Sequence, residues 1–254
     1  MMRDGKICIF FILMIMTIMI SPVFADHNQY LFEQGNKFYQ QEQYENAVKN
    51  YESILQNGYE NWALYYNLGN AYYRLGRLGK AILNFERAYR LNPDNEDVLF
   101  NLNLAKMRAV DNIPVPPLTE WMQKVKYAMS MSVIVWLTVG LYFLLAILIS
   151  MRILVKKKFW RRLAKISLVP IIVGLLLMSS LFYLRVHEET SVKYAILLVE
   201  KTDVLGSPDQ SGTILFSLHE GVKFKVESYN DGWARIRLAN GNVGWVKKDV
   251  FEVI

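Results

Sequence analysis

The side chains best able to do covalent or acid–base chemistry are scattered through this 254-residue chain. His27, His187 and His219 stand in three different parts of it, and no pair has zinc-ligand spacing. The one cysteine, Cys8, lies in an N-terminal apolar run, so the chain alone offers no disulfide framework or thiolate site. Glu188 and Glu189 adjoin a long apolar segment, where a solvated flank explains them better than an acid–base pair. The motifs G-x-x-x-x-G-K-[ST], G-x-S-x-G and H-E-x-x-H are missing. Catalysis needs a nucleophile or base oriented by a third group, and no such set is offered. The expectation is a non-enzymatic chain without cofactor or metal. What recurs instead is asparagine interleaved with tyrosine, and amide side chains can hydrogen-bond an extended backbone as both donor and acceptor.

Those asparagines belong to a 34-residue period. Shifted by 34, Leu31 meets Tyr65, Gly35 meets Gly69, Asn36 meets Asn70, Phe38 meets Tyr72, Ala47 meets Ala81 and Tyr51 meets Phe85. Small residues between large apolar ones at this period predict stacked helix–turn–helix units. Gly35 and Gly69, with Ala47 and Ala81, let the two helices of a pair approach closely. Pro93 ends the second pair, while Asn57-Gly58 breaks the first, where Tyr59 replaces proline. The pattern resembles the tetratricopeptide-repeat (TPR) family over about residues 28–110. That resemblance implies a protein-binding groove lined by the first helix of each pair. Matched position by position, it would comprise Phe32, Asn36 and Tyr39 from the first pair. Tyr66, Asn67, Asn70, Tyr73 and Arg74 would follow from the second, and Asn101 from the stretch after it. The alternative is that Tyr39, Tyr66 and Tyr73 merely cover a small core. Residues 95–110 read as a third first helix, with Leu99 and Leu102 at core positions, serving as a solvating cap.

Three apolar runs account for a 53 % hydrophobic composition. Arg3 and Lys6 precede the first, 7–20, and Val23-Phe24-Ala25 closes it, the layout of a signal peptide spanning 1–25. The second and third predict membrane spans at 129–151 and 166–184, each near the ~20 residues needed to cross a hydrocarbon core. Between them, 152–165 holds Arg152, Lys156, Lys157, Lys158, Arg161, Arg162 and Lys165 with no acid. The net charge is +6, so the rest of the chain nets −1, which removes the case for a nucleic-acid face. Lys and Arg collect on the cytoplasmic side of short loops, so both flanking regions are expected outside. A proline-rich linker and juxtamembrane helix, 113–128, separates the repeats (26–112) from the first span.

After the second span the pattern changes to period 2. Asp231-Gly232 and Asn240-Gly241 are hairpin signals between short strands, and about five strands are expected in a small barrel. Leu218-His219-Glu220-Gly221, Gly232-Trp233-Ala234-Arg235-Ile236 and Asn240-Gly241-Asn242-Val243-Gly244-Trp245-Val246 resemble the bacterial SH3 (SH3b) domain over 185–254. The resemblance implies peptide or peptidoglycan binding, with Tyr229, Trp233 and Trp245 as a recognition face, or a purely structural role in which the tryptophans pack the core.

The expected fold class is a multidomain membrane protein: an all-α TPR repeat, a two-helix transmembrane hairpin and an all-β SH3-like barrel. This order resembles BatE-type proteins of the Bat aerotolerance operon. It implies a place in a bacterial inner membrane with both soluble domains extracytoplasmic, beside von Willebrand factor A-domain membrane proteins and a MoxR-type ATPase system. Protein scaffolding is the leading expectation. A wall-reading sensor and a wall-hydrolase accessory are the alternatives.

Overall fold

In the computed structural model, residues 27–254 are described; the expected signal segment lies outside them. Five helices come first: α1 (27–40), α2 (Tyr44–Gln56), α3 (Trp62–Arg74), α4 (Leu78–Leu91) and α5 (Glu96–Arg108). Their boundaries follow from local chemistry. The Asn61 and Asn95 side chains accept from the N–H groups of Leu64 (2.7 Å) and Val98 (3.0 Å), capping α3 and α5. α2 ends at Asn57, and Gly58 takes φ +76° so that Tyr59 N–H can reach back to the Ile54 carbonyl.

The expected close approach within each pair is present, and its partner is an aromatic ring. A Cβ on Gly35 would stand 2.5 Å from the Tyr51 ring, and one on Gly69 would stand 2.7 Å from Phe85. α5 repeats the buried register of α3: Leu64, Leu68 and Ala71 become Val98, Leu102 and Ala105. Leu99, expected in the core, is 42 % exposed instead. Its counterpart Tyr65 is covered by Ala88 of the following helix and by Val98, and Leu99 is in no such cluster among the described residues.

A seven-stranded sheet closes the chain, two strands more than expected. Its strands are β1 (Lys193–Leu197), β2 (Lys201–Leu205), β3 (Ile214–His219), β4 (Lys223–Asn230), β5 (Trp233–Arg237), β6 (Val243–Lys247) and β7 (Phe251–Val253). They lie in the order β3-β2-β6-β5-β4-β1-β7, and the registered pairs are antiparallel. The β4–β5 turn is Asp231-Gly232, with φ of +37° and +82°, as the Asp-Gly signal predicts. Alternation puts Ala234, Ile236 and Val246 in a core with Phe224 and Leu218.

The helices and this sheet were expected as separate modules. They form one compact unit, the described residues up to Ile113 together with Tyr194–Ile254. The join is α4. Ile196 of β1 shares an apolar core with Ile82, and Leu198 and Ile254 pack against it. Gly79 makes the contact possible, since a Cβ there would come within 2.6 Å of the Leu197 carbonyl oxygen. The Glu220 carboxylate accepts from Gly79 N–H at the start of α4 (2.9 Å), where the helix end favours an anion. Arg87 pairs with Glu252 at 2.7 Å, and Asp111 accepts the His219 backbone N–H at 2.6 Å.

Pro114–Lys193 forms the second unit. It holds α6 (Pro117–Tyr127), α7 (Met131–Leu154) and α8 (Lys158–Ser191). α7 and α8 are long and apolar enough to cross a membrane, and most of their large apolar side chains face outward. The bounds differ from expectation. Only 155–157 separates the two helices, because Arg152 lies in α7 while Lys158, Arg161, Arg162 and Lys165 lie in the first two turns of α8. At 1.5 Å per residue α8 is about 51 Å long, well beyond a ~30 Å hydrocarbon core, so it extends past the expected span at both ends. The sheet accordingly starts at Lys193, and 185–191 is helix.

Candidate partner-binding groove

The first helices of the repeats, α1, α3 and α5, carry the predicted groove residues, and the 34-residue period governs how they meet. Asn67 donates to Asn36 Oδ1 (2.9 Å), and Asn101 donates to Asn70 Oδ1 (2.9 Å). These are the same bond made once per repeat, linking each first helix to the next. Asparagines read from the sequence as partner contacts are therefore also the ties between helices. Each pair consumes one carbonyl and one amide group; an amide side chain has further lone pairs and protons for a ligand.

A phenol completes each pair, from opposite sides. In the first repeat the Tyr51 hydroxyl, on the second helix, donates to Asn36 Oδ1 (2.7 Å), with Phe32 against its ring. In the second repeat Phe85 replaces Tyr51 and Tyr66 replaces Phe32, and the Tyr66 hydroxyl accepts from Asn101 (3.0 Å). One hydroxyl per repeat is kept while its helix of origin changes. Burial, then the neighbouring Tyr39, pushes the Tyr51 phenol well above its ordinary pKa, so it stays a neutral donor.

The rim follows the same period. Arg74 stands beside the Tyr39 hydroxyl and 5.7 Å above the Tyr44 ring, and Arg108 stands 5.0 Å above Tyr73. Arg108 is the 34-residue counterpart of Arg74 and was missed from sequence, although the period points to it. At α5 the counterparts of Tyr66, Asn70 and Tyr73 are Phe100, Leu104 and Met107, exposed by 66, 38 and 83 %. The groove thus changes from amide and phenol to apolar along its length, and the α5 face is not the solvating cap expected. A concavity of about 240 Å³ opens between Asn36, Tyr39, Gln40, Tyr51, Asn67 and Asn70. Its lining is uncharged, and it suits hydrogen bonding and stacking rather than bond breaking.

Residues 32–96 match the tetratricopeptide repeat family. Stacked repeats of this kind serve protein–protein interaction. Among solved structures, the chain is similar to "First TPR of Spaghetti (RPAP3) bound to HSP90 peptide SRMEEVD", at 21 % identity and a TM-score of 0.22, covering 32 % of this chain and 92 % of that one. A comparison with curated proteins gives no match.

The aromatic trio of the sheet is not brought to one face. Trp233 pairs with Lys247, and Trp245 with Arg235, on the outer face. Tyr229 pairs with Ala234, so it stands on the opposite side, with Lys248 4.9 Å above its ring. Both tryptophans are half-buried on the outer face rather than in the core, with Arg235 between them. Glu227 receives Arg237 Nε at 2.5 Å, and that bond holds its carboxyl below the usual range. A shallow hollow of about 410 Å³ opens beside Trp233, Lys247 and Asp249.

Proposed function

We propose that this chain is a non-enzymatic, membrane-anchored adaptor whose repeat groove holds an extended segment of a protein partner. The observation that carries it is the uncharged concavity between Asn36 and Asn70, built from groups that repeat once per 34 residues. In the finer reading, α7 and α8 form a hairpin in a bacterial inner membrane, with the basic residues 152–165 inside and the repeats and sheet outside, as in BatE-type proteins. Two arguments support it. Seven cations at the tip favour the cytoplasmic side. The repeats and the sheet also pack into one unit, so the chain between them must cross any membrane an even number of times, and two apolar helices meet that condition.

Von Willebrand factor A-domain membrane proteins and a MoxR-type system are the partners this reading favours. The test is capture from solubilised membranes with the intact chain and with Asn70→Ala/Tyr73→Ala. A partner set unchanged by the double substitution would remove the groove from the account. A second reading, in which the SH3-like sheet binds peptidoglycan, draws on the outer-face pair Trp233 and Trp245. Co-sedimentation of the full chain with purified sacculi, lost in Trp233→Ala/Trp245→Ala, would favour it.

A further inference from the structure

We propose that α6 lies flat in the outer headgroup layer of the membrane, with Leu118, Trp121, Met122 and Val125 facing the lipid. The proposal rests on the membrane reading above. These four residues fall at i, i+3, i+4 and i+7, so one face of the helix carries them all. They are 69, 61, 58 and 47 % exposed, and α6 has no buried residue. The opposite face is polar: Glu120 pairs with Lys124 at 2.7 Å, and Gln123 lies beside them. By the 100° helical step, Lys124 borders the apolar face on one side, where its stem can lie along lipid and its exposed charge reach water.

The occupant is lipid because of where α6 is held. Ser130 has ψ 155° and caps α7 by accepting from Val133 N–H, so α6 is not a continuation of the span. From Tyr127 to Met131 is four residue steps, a reach of at most about 14 Å. The corner is also fastened to α8 just past the expected end of the second span. Arg185 donates to the Met129 carbonyl (2.7 Å) and stands 4.7 Å above the Tyr127 ring, and Lys126 pairs with Glu188. An amphipathic helix tied at the level where both spans end has its apolar face within reach of the acyl boundary, which such helices enter by ~5–10 Å.

The test uses the full chain with Cys8 replaced by serine, in vesicles of phosphatidylcholine and phosphatidylglycerol. A nitrobenzoxadiazole label is placed on Met122→Cys, Gln123→Cys or, as a reference in α7, Phe143→Cys. The expected result is loss of most Met122→Cys emission to a lipid carrying a nitroxide near the headgroup, with Gln123→Cys quenched by aqueous iodide instead. If Met122→Cys is as open to iodide as Gln123→Cys while Phe143→Cys is quenched by a deep nitroxide, the placement of α6 is wrong and the spans stand. If Phe143→Cys escapes every lipid nitroxide, the membrane reading fails and takes this proposal with it. A Met122→Cys label shielded from both quenchers means that protein covers the face, which also overturns the proposal.

Discussion

Glu42 and Gly76 occupy the same position of successive repeats, and both take positive φ, +61° and +74°. Each ends a first helix: Gln43 N–H reaches the Phe38 carbonyl, and Arg77 N–H reaches that of Tyr72. A left-handed conformation costs a non-glycine residue roughly 1–2 kcal/mol. Glu42→Gly is therefore expected to stabilise the chain by about 1 kcal/mol, read as a higher Tm. Gly69→Ala should do the reverse. Helix propensity favours alanine by up to ~1 kcal/mol, but the new Cβ would press on the buried Phe85 ring, and overpacking costs ~1–3 kcal/mol. The expected net is a loss of about 1–2 kcal/mol, seen as a lower Tm. The glycine contacts were legible in sequence because a 34-residue shift exposes them directly. The exchange of the hydroxyl between Tyr51 and Tyr66 was not, because the shift registers both as aromatic and says nothing about the polar tip.

At the scale of elements, α4 departs most from what its sequence suggested. Eight of its 14 residues are buried, including Glu86, more than one packing face can explain. The second face meets β1, and a repeat pattern read within one domain cannot reveal a partner as far along the chain as Ile196 is from Ile82. Glu86 bridges Lys106 of α5 and Lys223 of β4, each at 2.7 Å. Burial pushes its carboxyl up, but the two ammonium groups override this and hold it below the ordinary carboxylate range. A depressed folded-state pKa gives stability that is present above the unfolded value and lost as pH falls through the folded one. Urea midpoints measured from neutral pH down past the ordinary glutamate pKa should therefore fall more steeply for the wild type than for Glu86→Gln. At neutral pH the variant should lose roughly 2–3 kcal/mol, less than the 3–5 of a fully buried pair because both lysines are over a third exposed. Equal pH slopes would show that the bridge contributes nothing. The α5 face makes a separate prediction. Met107→Glu places a charge where the groove turns apolar and should weaken partner capture without shifting Tm, since Met107 is 83 % exposed.

For the whole molecule, the order of parts was readable because each has its own period: 34 for the repeats, long unbroken apolarity for α7 and α8, and 2 for the sheet. Their association was not, since Gly79, Glu220, Asp111 and His219 look like ordinary turn and linker residues until the chain brings them together. That association supports the proposed topology beyond charge counting, because two segments in contact share a compartment. The most direct measurement is a pair of reporter fusions in a bacterial host, alkaline phosphatase joined after Ile254 and, separately, inserted at Lys157. The account predicts phosphatase activity at Ile254, where the enzyme is exported, and none at Lys157. An inactive fusion at Ile254 with an active one at Lys157 would put the groove in the cytosol and contradict it.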